Sequence, residues 1–262
     1  MNILIGTRTY SPFWLKILEE QNNPNLIVAP FNNKNILELI KSKNIDYILP
    51  LYIEDYTTVK NNQHIKQNII LFPKNNIFTI LHNKLKFTKF MKEYFIDLIP
   101  TVYILDRIQI NDIKFPVISK PIFSSNGNDI TIYKNEIEFC NCKNKIIIQE
   151  YITDLYEYGA HMLCINGKII NWIITKYKYT DYHIKQGVFP ENCEYETDFP
   201  IHLFHPILIH LNYSGGICID FKYNPDTQKI NIFEINPRFG GTPFSNNFIS
   251  QLLYIPKLLI KV

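Results

Sequence analysis

Glycine is scarce in this chain, which has only nine glycines among its 262 residues, about half the ordinary share. Isoleucine, asparagine, lysine, phenylalanine and tyrosine dominate instead, a composition typical of an AT-rich genome. A chain with so few glycines is expected to keep them where its backbone must approach another group closely. Five of the nine stand in segments discussed below: Gly127, Gly215, Gly216, Gly240 and Gly241.

Other features are missing, and each absence excludes a class of protein. No apolar stretch approaches about 18 residues and no leader-like segment begins the chain, so we expect a cytoplasmic protein without a membrane segment. The net charge of +3 comes without a lysine–arginine run, which argues against nucleic-acid binding. The five cysteines lack metal-ligand spacing and are expected to be reduced thiols.

The N-terminal third alternates short apolar runs with helical patterns. This β-α-β-α-β order predicts a parallel sheet. Because no G-x-G-x-x-G motif follows the first strand, an NAD site is not supported. The predicted strands are 2–6, 26–30 and 46–50, and the predicted helices between them are 12–20 and 36–43.

The most informative segment of the chain is a strand near its C-terminus. Its alternate residues are expected to share one face, which changes along the strand from apolar to a carboxylate, an amide and a guanidinium. Carboxylate and amide oxygens suit Mg²⁺, and a guanidinium suits an oxyanion. The residues concerned are Ile230, Ile232, Glu234, Asn236 and Arg238.

The preceding strand, predicted at 215–223, strengthens the case for a metal site. A turn is predicted at 224–228, and folding the chain about residue 227 places Asp220 opposite Glu234. Like charges opposite each other destabilise a sheet, so the pair predicts a divalent cation between them. Two solvent-facing carboxylates are the alternative.

These residues resemble the ATP-grasp superfamily, in which an acidic residue precedes a Glu-Ile-Asn-Pro-Arg motif by fourteen positions. The spacing is most similar to the carbamoyl phosphate synthetase and biotin carboxylase branch, with D-alanine–D-alanine ligase a more distant relative. The resemblance implies that Asp220, Glu234 and Asn236 hold Mg²⁺, or Mn²⁺ in its place, on the phosphates of ATP. It also implies that Arg238 binds the acyl phosphate or the carboxylate that becomes it.

Two upstream segments resemble the phosphate-binding parts of the family. The strand at 115–121 ends in a lysine and is followed by a small polar loop, 124–130, whose backbone N–H groups can wrap phosphate. A surface turn has the same composition. A second lysine opens a predicted helix after Asn83, where relatives have Asp; a solvated lysine is the alternative there. The implied phosphate contacts are Lys84, Lys120, Ser125 and Gly127.

The segment after the apolar strand at 146–150 resembles the hinge between the two lobes of the family. The resemblance implies that the backbone of Glu150, Tyr151 and Ile152 reads the adenine edge and that Glu157 accepts hydrogen bonds from the ribose hydroxyls. A carboxylate suits a diol because it only accepts hydrogen bonds, although a solvated loop carboxylate is the alternative.

A hairpin with Asn166-Gly167 as its turn comes next, followed by a basic loop. In relatives this loop contacts phosphate or substrate, and His183 and Lys185 match best by distance from Glu157. Which of Lys176, Lys178, His183 and Lys185 makes the contact stays open, since loop lysines are usually solvated.

The resemblance, which covers about residues 83–242, implies an α+β ATP-grasp fold behind a small Rossmann-like domain with a parallel sheet. We expect that domain at 1–82, a small lobe at 83–145 and a large lobe at 146–262. With 24 residues after Arg238, no carrier domain or second grasp module is expected.

The expected activity is ATP-dependent ligation of a small carboxylate to an amine, or to a thiol, through an acyl phosphate. The expected partners are ATP and those two substrates, with a homodimer as a candidate assembly. A kinase-like phosphotransferase on the same scaffold and a non-catalytic ATP-binding module are the rival functions. The sequence names neither the acid nor the amine.

Overall fold

The computed structural model describes residues 2–6, 26–29, 36–51, 53–60, 62–65, 71–103, 109–123, 129–140, 147–153, 156–178 and 192–240. The described residues form three β-sheets, of three, four and five strands. Among them, no helix has the length and apolar composition that crossing a membrane requires.

The three-stranded sheet is parallel, as the sequence predicted. Its strands are β1 (Ile3–Gly6), β2 (Leu26–Ala29) and β3 (Tyr47–Leu49), in the order β2-β1-β3. Helix α1 (Ile36–Ser42) confirms the predicted helix before β3, and α2 (Ile53–Lys60) follows it. The predicted helix at 12–20 lies outside the described residues.

Two helices connect this sheet to the next one. Helix α3 spans Asn75–His82 and helix α4 spans Lys84–Tyr94, and both pack against the five-stranded sheet. Short 3-10 turns lie at Ile96–Leu98, Ile110–Asp112 and Ile201–Phe204.

The four-stranded sheet is antiparallel, in the order β4-β7-β5-β6. Strand β5 at its centre is buried along its whole length and ends at a lysine. Its strands are β4 (Val102–Tyr103), β5 (Val117–Lys120), β6 (Thr131–Tyr133) and β7 (Ile147–Glu150), and α5 (Glu136–Phe139) follows β6.

The five-stranded sheet is also antiparallel, in the order β10-β9-β8-β11-β12. The predicted turn at Asn166-Gly167 is confirmed, with φ values of 50° and 78° that suit a tight hairpin turn. Its elements are β8 (Tyr156–Ile165), β9 (Lys168–Lys178), β10 (Asn192–Glu196), helix α6 (His205–His210), β11 (Gly215–Asn224) and β12 (Lys229–Asn236).

The β11–β12 hairpin confirms one prediction and corrects another. Asp220 lies opposite Glu234, as predicted, but the next pair skips Phe233 because a bulge interrupts the register. The expectation that Ile230 and Ile232 share a face with Glu234 is therefore wrong: both isoleucines pack in the buried core. A bulge adds one residue to a strand, so the alternation of faces restarts after it.

The boundaries 1–82, 83–145 and 146–262 stay a prediction. Strand β7, which the sequence groups with the large lobe, pairs with β5 in the four-stranded sheet. Helix α4, which it groups with the small lobe, packs its buried side chains against the core of the five-stranded sheet.

Candidate active site

One face of the five-stranded sheet carries polar and charged side chains, and we call it the polar face. Its members come from three neighbouring strands, and the face on the other side of the same strands belongs to the apolar core. The residues of the polar face are Glu157, His161, Cys218, Asp220, Lys222, Glu234 and Asn236.

The predicted metal ligands lie together on this face. Asn236 Nδ2 donates a hydrogen bond to Asp220 Oδ2 at 3.0 Å, and the Cys218 thiol donates to Asp220 Oδ1 at 3.4 Å. Burial, followed by the charges of Glu234 and Glu157, raises the pKa of Asp220 to about 7. A cation bound here would offset the free-energy cost of burying a charged Asp220 and its repulsion by the two neighbouring carboxylates.

The donor set fits Mg²⁺ bound together with a phosphate ligand. Two carboxylates and an amide supply only hard oxygen donors, and Mg²⁺ is usually held by one or two carboxylates plus substrate phosphates and water. In the part of the chain that the structure describes, no cluster of three His, Cys, Asp or Glu side chains could hold a metal by itself. The assignment to Asp220, Glu234 and Asn236 stays a prediction.

Lys84, the first residue of α4, reaches the same place from another element. Its Nζ donates to Glu234 Oε1 at 3.0 Å, and the side chain is buried. Asn83 caps the helix, since its side-chain oxygen accepts a hydrogen bond from the backbone N–H of Lys86 at 2.9 Å. Asn83 therefore serves as the N-cap that sets the start of the helix at Lys84.

Lys120, at the end of β5, brings a second ammonium from the four-stranded sheet. Its Nζ lies 5.2 Å from the centroid of the Phe233 ring. Burial is the main cause that lowers the pKa of Lys120 to about 8; the carboxylate of Glu234 opposes it, and the charge of Lys84 adds to it. Both predicted phosphate-binding lysines thus converge on the predicted metal ligands.

The hinge is held from two sides by backbone hydrogen bonds. The N–H of Glu150 donates to the carbonyl of Thr101 at 2.8 Å, and Glu150 Oε2 accepts from the N–H of Thr101. The N–H of Tyr151 donates to the carbonyl of Pro116 at 3.1 Å. These contacts fix the position of the hinge backbone. That the hinge binds the adenine edge stays a prediction.

Glu157 lies on β8 near the hinge. Burial raises the pKa of its carboxyl, and the charges of Lys222 and then Lys120 oppose that effect. Lys222 is a residue that the sequence analysis missed. The signal for it was available, because it follows Asp220 by two positions and therefore shares its face.

Arg238 follows β12 and is held by its neighbours. Its N–H donates to the carbonyl of Asn236 at 2.8 Å, and its Nη1 donates to the carbonyl of Phe239 at 3.0 Å. The N–H of Gly240 donates to His161 Nδ1 at 3.2 Å. A Cβ at Gly240 would lie 2.4 Å from His161 Cε1, so the close approach explains this glycine.

His161 is the second residue that the sequence analysis missed. It is buried, and burial followed by the charge of Arg238 lowers its pKa to about 3, so the imidazole is neutral. Since Nδ1 accepts from Gly240, the ring proton lies on Nε2, which is 3.3 Å from Thr175 Oγ1. No motif marked this histidine; only its place on an alternating strand could have found it.

The structure describes only some of the residues predicted in the basic loop and in the polar loop at 124–130. Ser125, Gly127, His183 and Lys185 lie outside the described residues, so their roles stay predictions. Lys176 pairs with Tyr158, which belongs to the core, and its Nζ lies 4.3 Å from the centroid of the Tyr156 ring. Lys176 therefore faces away from the polar face.

The chain is similar in sequence to curated D-alanine–D-alanine ligases. The chain is 27% identical over 158 residues to a D-alanine–D-alanine ligase of Rickettsia canadensis, covering 53% of this chain and 43% of that protein. The chain spans about half the length of the curated relatives it matches.

Solved structures share the fold at low identity. The D-alanine–D-alanine ligase of Bacillus anthracis matches with a TM-score of 0.59 and 16% identity, covering 99% of this chain and 95% of that one. The phosphoribosylamine–glycine ligase of Thermotoga maritima matches with a TM-score of 0.61 and 14% identity, covering 96% and 74%. These likenesses confirm the predicted α+β fold class.

A family model described as an ATP-grasp domain matches residues 81–242, which is more than half of the chain. The matched range includes Lys84, Lys120 and the motif from Glu234 to Arg238, from which the resemblance was inferred. The predicted resemblance is confirmed, and the chain belongs to the ATP-grasp family.

Proposed function

We propose that this protein is an ATP- and Mg²⁺-dependent ligase that joins a small carboxylate to an amine, or to a thiol, through an acyl phosphate. The observation that supports the proposal most is the meeting of two lysines from separate elements with a pair of carboxylates near a guanidinium. The residues concerned are Lys84, Lys120, Asp220, Glu234 and Arg238.

The two lysines and the acidic pair suit the transfer of a phosphoryl group. Lys84 and Lys120 would neutralise phosphate oxygens, so that a carboxylate can attack the γ-phosphoryl group and release ADP. Asp220, Glu234 and Asn236 would hold Mg²⁺, which, when bound, offsets charge on the transferring group. Positioning and charge neutralisation would supply most of the rate acceleration.

Arg238 suits the second half of the reaction. A guanidinium offers two parallel donors, which match the paired oxygens of a carboxylate or an acyl phosphate. An amine would then attack the acyl carbon, lose a proton and release inorganic phosphate, leaving an amide. The curated relatives are named D-alanine–D-alanine ligases, which favours an amine as the nucleophile.

A screen for ADP release tests the proposal and separates it from its rivals. Carboxylates are supplied with Mg·ATP, each with and without an amine, and products are identified by mass. Hydroxylamine serves as a general trap, because it converts an acyl phosphate into a hydroxamate. A stable phosphorylated product would indicate a kinase, and nucleotide binding without turnover across the screen would indicate a binding module.

The variant Arg238→Lys tests the role of the guanidinium. Lysine keeps the charge but lacks the fork, so ATP binding should change little while product formation falls by about 100-fold or more. The Kd of Mg·ATP and the rate of hydroxamate formation are measured side by side. Equal rates in the variant and the wild type would place the carboxylate elsewhere, with His183 and Lys185 as the next candidates.

A further inference from the structure

Lys222 is a buried lysine that the chemistry proposed above does not use. Its Nζ donates a hydrogen bond to the carbonyl of Ile152 at 2.7 Å, and it lies 5.6 Å from the centroid of the Tyr151 ring. The residue is only 7% exposed. Burying an ammonium costs free energy unless it finds acceptors, and the contact with the hinge offsets part of that cost.

Lys222 lies on the same strand, β11, as the predicted metal ligand Asp220. Lys222 follows Asp220 by two residues, so both side chains lie on the polar face. Asp220 stands where metal and phosphate are proposed, and Lys222 stands at the hinge, where adenine is expected. The two positions are about 7 Å apart along the strand, so β11 carries one side chain on the metal side of the proposed site and one on the hinge side.

The neighbours of Lys222 across the sheet are polar as well. Asn231 is its cross-strand partner on β12 and is only 5% exposed. Asn231 Oδ1 has no hydrogen-bond partner within the described ranges. On the other side, Phe221 pairs with Tyr158, so the same register brings Lys222 beside Glu157. Lys222 therefore lies beside the carboxylate of Glu157 and the amide oxygen of Asn231, which has no hydrogen-bond partner within the described ranges.

We infer that Lys222 is a positioning residue for the nucleoside end of bound ATP, holding the hinge through the carbonyl of Ile152 and standing beside the ribose acceptor Glu157. This inference rests on the proposed function, since it assumes that ATP is the ligand. Of the charges that oppose the raised pKa of Glu157, that of Lys222 has the largest effect. Loss of the ammonium should weaken recognition of the nucleoside and spare that of the triphosphate.

Isothermal titration calorimetry with two ligands tests the inference. Mg·ATP carries both ends, whereas Mg·tripolyphosphate carries only the phosphate end. In Lys222→Met the Kd of Mg·ATP should rise about tenfold or more, on the scale of losing one charge-assisted hydrogen bond, while that of Mg·tripolyphosphate should stay within about twofold. Lys222→Arg keeps a charged donor and should recover most of the loss.

Lys229→Met is the matched control, because Lys229 is an exposed lysine on the same hairpin and should change neither Kd. If both ligands weaken equally in Lys222→Met, or neither weakens, the inference is overturned. If Lys222→Met does not fold, Lys222→Gln is judged by the same ratio of Kd values. Failure of the wild type to bind Mg·ATP would instead count against the proposed function.

Discussion

The two faces of the five-stranded sheet are built from the same strands, yet they do opposite things. Its core face buries apolar side chains against α3, α4 and α6, so burial stabilises the fold there. Its polar face buries charged side chains, so burial there costs free energy until a ligand supplies opposite charge. The core face therefore stabilises the fold, and the proposed binding site lies on the opposite face of the same sheet.

The pKa shifts describe that cost on the polar face. Burial is the largest cause in each case: it raises the pKa of Asp220 and Glu157 and lowers that of Lys120. Burial disfavours the charged form of each group, and the opposite charges nearby recover only part of the loss. A bound metal and triphosphate would supply the charges that complete the balance.

The largest expected effect concerns the core face. Phe221 is fully buried and packs against Tyr158, Phe199 and Phe204. Phe221→Ala should lower the free energy of unfolding by about 3–5 kcal/mol, because it removes apolar contacts and leaves a cavity. Urea denaturation measures the change, with exposed Ile209→Ala as the control. If the fraction that stays folded bound Mg·ATP much more weakly than the wild type, the separation of stability on the core face from binding on the polar face would be contradicted.

Glu234→Gln is the corresponding change on the polar face. Glutamine keeps the shape but removes the charge that faces Lys84 and the proposed metal. We expect Mg²⁺-dependent ADP release to fall by about 100-fold or more, as for the loss of a preorganised electrostatic contact, with little change in unfolding free energy. Exposed Glu136→Gln is the control. Undiminished turnover in Glu234→Gln would remove this carboxylate from the metal site.

Lys120→Met should have a smaller effect on the binding of Mg·ATP. The buried ammonium of Lys120 is proposed to contact a phosphate, and losing one charge-assisted hydrogen bond should raise the Kd of Mg·ATP about tenfold. Calorimetry measures the Kd, and thermal unfolding without nucleotide checks the fold. Exposed Lys114→Met is the control. An unchanged Kd would mean that Lys120 contacts no phosphate and only balances the charge of the carboxylates on the polar face.

Glu157→Gln should have the smallest effect, and it concerns stability. The pKa of Glu157 in the folded protein is raised above its ordinary value of 4.5, so the folded state loses stability as pH rises between the two values. Glutamine removes that loss. Without Mg²⁺ and nucleotide, Tm should rise at pH 8 and not at pH 4, by about 2–4 °C for each 1 kcal/mol that the ionisation costs. A rise that is equal at both pH values would contradict the assignment of the effect to ionisation.

Local patterns predicted much of the fold and the centre of the site. Alternation and turn composition placed Asp220 opposite Glu234, and Asn166-Gly167 at a hairpin turn, because antiparallel partners joined by a short turn are close in sequence. The bulge at Phe233 escaped prediction. Nothing in the alternation of residues along β12 marks the extra residue that a bulge adds.

Residues from distant elements could be predicted only by resemblance. Lys84 and Glu234 are 150 positions apart, and nothing in their local sequence says that they form an ion pair. His161 and Lys222 belong to no motif, so they were missed although both lie on the polar face. The contact between Lys222 and the carbonyl of Ile152 spans 70 positions and joins the sheet to the hinge.

The sequence by itself determined the strands of the first sheet and their parallel direction, the pairing of the C-terminal hairpin and the family, because these depend on periodicity, turn chemistry and a contiguous motif. Only the tertiary structure decided which face of the five-stranded sheet became polar, which lysines meet its carboxylates and which side chains hold the hinge. Those outcomes depend on how the sheets and helices pack, where burial changes the free energy of every charge it encloses.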